Sequence, residues 1–135
     1  MKKRTRRRAW NPLANPVRAA VVAAQPPDLT TIKTANLMTL REVRAGRIDR
    51  HGIQVLEAIV GTSESLARVG VGTEALPVCA AARRALKAIA AARGKVGKLE
   101  VAAFEVLIEF YDAQVDAASQ GEVARAVAPY VHLRR

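Results

Sequence analysis

The sequence predicts an all-α fold: a compact helical bundle of four main helices with shorter terminal helices, preceded by a basic flexible arm. Three observations carry this. Apolar residues recur at three- and four-residue steps, no stretch alternates with period two, and 27 of the 135 residues are alanine. Each helix is also bounded by its own start and stop signals. Residues 1–14 read as the arm, 15–133 as one helical domain, and 134–135 as a basic C-terminal end.

Residues 1–14 are set apart by like charges and too little apolar surface to offset ordering entropy. Asn15-Pro16 resembles an N-cap with proline at the first helical position, and Pro26-Pro27 ends that short helix near Gln25. Asp28 caps the next helix, whose apolar face is Leu29, Ile32, Leu37, Leu40 and Val43, with Gly46 as its left-handed stop. Asp49 opens another, with Leu56, Ile59, Val60, Ser63, Leu66 and Ala67 on one stripe, closed by Gly70. The stripe passes through Gly61 in register, so one continuous helix is expected there and not a helix-turn-helix, whose tight crossing Glu57 would hinder. Thr73-Glu74 starts an Ala-rich helix to about Arg93, with Pro77 in its first turn. After the turn at Gly94–Lys98, Leu99 to Ser119 carries Phe104, Leu107, Ile108, Tyr111 and Val115 on one face. Gly121 separates it from a last helix, Glu122 to Ala128. No internal repeat is evident.

Charge is the strongest functional signal. The chain carries 22 Lys+Arg against 12 Asp+Glu, a net charge of +10. Lys2, Lys3, Arg4, Arg6, Arg7, Arg8 and Arg18 fall in the first eighteen residues with no acid, and Arg134 and Arg135 end the chain. Residues 19–133 hold thirteen bases and twelve acids, a net +1. The reading is therefore a basic arm on a nearly neutral body. With Trp10 as a stacking surface, those cations suit nucleic-acid phosphates, DNA or RNA, with little sequence preference. A secretory leader is not expected: Asn11, Pro12, Asn15, Pro16 and Arg18 interrupt the apolar stretch such a leader needs. The chain reads as cytoplasmic, with no membrane partner. Alanine richness leaves room for a homodimer.

Sites for chemistry are scarce. Glu105, Glu109, Asp112 and Asp116 step by four, three and four and share one helix face. They read as a salt-bridged face, with Arg83, Arg84 and Lys87 offering compensation, or alternatively as a partner-binding strip. A di-metal site would want a Glu-x-x-His motif, and neither His51 nor His132 follows a Glu by three, so no metal is expected. Gly70-Val71-Gly72 lacks the Gly-Lys-Ser/Thr of a phosphate loop and reads as a turn. Cys79 reads as a buried small residue and His51 as a surface residue at a helix start. No catalytic residue and no cofactor are expected; the protein reads as a non-enzyme.

Lys2-Lys3-Arg4-Thr5-Arg6-Arg7 with Trp10 and Asn15-Pro16, then Gly70-Val71-Gly72-Thr73-Glu74-Ala75-Leu76 and Tyr111-Asp112-Ala113-Gln114, resemble a family of small uncharacterised basic helical proteins of proteobacterial phages, prophages and related mobile elements. The likeness spans most of the chain. It departs at Thr73, where proline is usual, and at Tyr111-Asp112, where Tyr-His-Asp is usual; the missing histidine weakens any metal or general-base role. The resemblance implies an accessory protein in a bacterial host that binds nucleic acid. Alternatively, it implies a protein-interaction module that inhibits or adapts a host regulatory or defence protein.

Overall fold

The computed structural model describes residues 29–130, and side chains from residue 32 onward. Five helices follow one another: α1 (Leu29–Arg44), α2 (Arg50–Arg68), α3 (Ala75–Ala91), α4 (Lys98–Ala117) and α5 (Gln120–Val127). The expected helix over 15–25, the Asp28 cap and the basic arm lie outside the described residues.

Helices α1 to α4 run up and down, and adjacency is unequal. The α3–α4 and α2–α3 pairs pack most extensively, α1 lies mainly against α4, and α1 and α2 scarcely touch. The short α5 covers α2. Phe104, Leu107, Leu56, Leu66 and Ile89 are fully enclosed at the centre, each burial of this kind worth about 1.5–3 kcal/mol. The stripes expected on α2 and α4 are all buried. On α1 the expected face needs correction, because Leu37 is 63% exposed. Its inward stripe is Ile32, Asn36, Thr39, Leu40 and Val43, the steps of a helical face, and Leu37 lies off it.

Caps define most boundaries. Asp49 accepts the Gly52 N–H at 2.8 Å, and Pro77 falls in the first turn of α3, where its missing N–H costs little. The α4–α5 break is not at Gly121, which lies inside α5. Ala118 turns extended instead, and Ser119 caps α5 in a reciprocal box with Glu122.

Helix α2 continues through Gly61, as expected, and the structure supplies the reason for glycine. A Cβ there would lie 1.9 Å from the Tyr130 hydroxyl oxygen, so the aromatic ring after α5 rests on bare backbone. Gly61→Ala is expected to destabilise the protein by displacing Tyr130. In a Tyr130→Ala background the same change should stabilise by about 1 kcal/mol, the helix-propensity difference. Urea titrations of the four proteins read this change of sign.

Candidate functional site

The turns joining α1 to α2 and α3 to α4 lie side by side at one end of the bundle, and they repeat a pattern. Gly46-Arg47-Ile48-Asp49-Arg50 and Gly94-Lys95-Val96-Gly97-Lys98 are both glycine, cation, β-branched residue, N-cap, cation. Backbone conformation repeats as well. Gly46 and Gly94 have φ of 90° and 92°, and Asp49 and Gly97 are both extended N-caps. The turns bind each other reciprocally: Ile48 N–H donates to the Gly94 carbonyl at 2.8 Å and Val96 N–H to the Gly46 carbonyl at 2.9 Å. Arg47 and Lys95 are thus opposed across an antiparallel bridge, while Ile48 and Val96 point into the core. Alternation along an extended segment sends the apolar side chains inward and leaves the cations outside.

This end gathers charge that composition hides. Residues 41–50 and 93–100 hold seven cations, all exposed, and three acids, a net +4. The other described residues hold six cations and eight acids, a net −2. Two of the three acids at this end are bound to backbone: Asp49 caps α2, and Glu100 accepts the Gly97 N–H at 2.8 Å. Among the described residues, only Arg44 of the seven cations forms an ion pair. The nearly neutral body therefore carries its excess positive charge at this end.

The acidic strip on α4 is largely engaged by α1. Lys33 Nζ donates to Asp116 at 2.9 Å, Asn36 Nδ2 to Asp112 at 2.8 Å, and Arg44 Nε to Glu105 at 2.8 Å. Glu109 is exposed and forms no ion pair among the described residues. The expected compensation from Arg83, Arg84 and Lys87 is corrected here: the strip faces α1. Arg83 instead binds Glu64 through two nitrogens, Nε at 2.7 Å from Oε2. That hydrogen bond, with the guanidinium charge, holds the Glu64 carboxyl below its ordinary value against the opposing effect of burial. Hydrogen bonding to Asp116 likewise raises the Lys33 ammonium.

A buried polar network went unread in the sequence. Gln114 is 3% exposed on α4, and its Nε2 donates to the Val71 carbonyl at 2.9 Å and the Ser63 carbonyl at 3.1 Å. Ser63 Oγ donates back to Gln114 Oε1. Gln114 follows Tyr111 by three residues on the apolar stripe, and that position was the available signal. Cys79 is buried, and desolvation pushes its thiol up, which suits packing and not nucleophilic attack.

Where α1 and α2 part, a groove of about 510 Å³ opens, lined by Ile32, Thr39, Val55, Ile59 and Tyr130 among others. His51 is exposed at its rim, as expected of a helix start. Among the described residues no His, Cys, Asp or Glu cluster could hold a metal, and no helix is long and apolar enough to cross a membrane. Lys2, Lys3, Arg4, Arg6, Arg7, Arg8, Trp10, Arg18, His132, Arg134 and Arg135 lie outside the described residues. No protein-family model matches the chain, and no curated protein or solved structure does so either.

Proposed function

We propose that the protein is a non-catalytic accessory protein of a phage or mobile element that binds nucleic-acid phosphates through its basic N-terminal arm in the bacterial cytoplasm. The observation that carries this reading is charge segregation. Seven cations stand in the first eighteen residues without one acid, next to Trp10. Each phosphate neutralised releases condensed counterions, so seven contacts on duplex DNA correspond to a salt slope of about −6. The rival reading, a host-protein partner bound by Glu105, Glu109, Asp112 and Asp116, has less support, since α1 already engages three of those four carboxylates.

Deleting residues 1–10 is expected to weaken binding to DNA and RNA at least tenfold while leaving helicity and melting nearly unchanged. Fluorescence anisotropy and circular dichroism on the same preparations check both halves. Undiminished binding by the shortened chain overturns the proposal.

A further inference from the structure

We infer that the paired turns form a second phosphate-binding surface, specific for the backbone of a duplex, with Arg47, Arg50, Lys95 and Lys98 as its cations. This extends the nucleic-acid reading above and rests on it, but it concerns the folded body and not the arm.

The paired turns bring these residues together from sequence positions about fifty apart. The reciprocal hydrogen bonds Ile48–Gly94 and Val96–Gly46 bind the two turns, and the buried Ile48 and Val96 anchor them. Arg47 faces Lys95 across the bridge, and Arg50 and Lys98 stand three residues further on at matching positions, each the first residue of its helix. All four are exposed, and none forms an ion pair among the described residues. A rigid backbone lowers the entropy cost of holding several cations near one polyanion. The matched pairs give the surface an approximate twofold repeat, the symmetry that the two antiparallel strands of a duplex also possess.

One feature selects a duplex backbone, and a second orients the body toward it. Residues 41–50 and 93–100 include no Phe, Tyr or Trp, the large rings on which unpaired bases stack, and the exposed imidazole of His51, next to Arg50, is the smaller ring there. The remaining described residues net −2, so within the described body it is the basic turns that attract a polyanion and orient the body toward it.

The test uses the full chain carrying Arg47→Gln, Arg50→Gln, Lys95→Gln and Lys98→Gln together. Its control removes equal charge elsewhere, with Arg68→Gln, Arg84→Gln, Lys87→Gln and Arg125→Gln. Binding is measured by anisotropy across a salt series to a duplex DNA, a duplex RNA and a single-stranded DNA of one length. The turn variant is expected to bind duplex at least tenfold more weakly, with a salt slope shallower by about 3.6. The control should stay within a few-fold of the parent, and the single strand should show the smaller loss. Greater weakening on one duplex than the other assigns the surface to DNA or RNA. Parent-like affinity and slope in the turn variant overturn the surface and leave the arm reading intact. Equal weakening of the control reduces the effect to net charge and also overturns it. Equal losses on single strand and duplex overturn the duplex assignment. An arm deletion without effect, beside a weakened turn variant, refutes the arm and keeps the surface. A parent chain that binds no duplex refutes both. Unchanged circular dichroism in the turn variant confirms that binding, not folding, was altered.

Discussion

Gly94→Ala is expected to destabilise the protein by about 3–5 kcal/mol, whereas Gly46→Ala at the matching position should cost only about 1–2 kcal/mol. Both glycines have left-handed φ, so both substitutions carry the penalty an L-residue incurs there. Their surroundings differ. A Cβ on Gly46 would meet only the Val96 carbonyl oxygen, at 3.9 Å, while a Cβ on Gly94 would lie 2.2 Å from the Ile48 carbonyl oxygen. That contact is with backbone, which cannot swing aside as a long side chain can. Relief requires the turns to separate, which strains the Ile48–Gly94 and Val96–Gly46 hydrogen bonds and loosens the buried Ile48 and Val96. For a domain of about a hundred residues, the difference between the two variants corresponds to a melting gap of roughly 10–20 °C. Thermal denaturation of the pair by circular dichroism measures it. Equal melting temperatures would show that the turns are not held against each other.

The same pair of turns shows what the sequence could and could not convey. Gly46 and Gly94 are visible as helix stops because glycine tolerates left-handed backbone at little cost, and the α2 and α4 stripes follow from periodicity alone. Those signals are local. That Arg44 meets Glu105, 61 residues away, depends on α1 lying beside α4 and not beside α3, and no local preference encodes which helices become neighbours. The error over Arg83, Arg84 and Lys87 has this origin: α3 is next in the chain, and sequential neighbours usually pack, but α3 and α1 flank α4 on different sides. The five-residue repeat of glycine, cation, β-branched residue, cap and cation was present in the sequence, yet too short to count as a repeat until reciprocal hydrogen bonds gave it meaning. Leu37 and Asn36 fail in opposite senses on one helix. Hydrophobicity alone placed Leu37 inside, whereas helical phase places Asn36 there, satisfied by Asp112.

Gln114 is the second place where a large effect is expected. Gln114→Leu keeps the volume roughly constant and removes every hydrogen bond of the network, leaving Ser63 Oγ and the Val71 carbonyl without their partner. Unsatisfied buried groups cost about 1–3 kcal/mol each, so the loss should reach about 3 kcal/mol. Gln114→Glu sharpens the argument because it retains shape and exchanges the donating amide for a carboxyl. Burial disfavours the carboxylate, so the folded-state pKa of the new group lies above its unfolded value. Its contribution is therefore best preserved below the unfolded pKa, where the protonated oxygen can still donate to Val71, and is lost as pH rises through the folded pKa. The Gln114→Glu protein should approach the parent's stability in mild acid and fall away toward neutral pH, while Gln114→Leu stays uniformly weak. Urea denaturation at several pH values distinguishes the two courses. A flat profile for Gln114→Glu would mean that the side chain reaches water, and that α4 is not tied to the α2–α3 turn by this residue. The close approach of Gly72 argues for the tie: a Cβ there would lie 2.9 Å from Gln114 Cγ, so the turn is folded directly onto the glutamine stem.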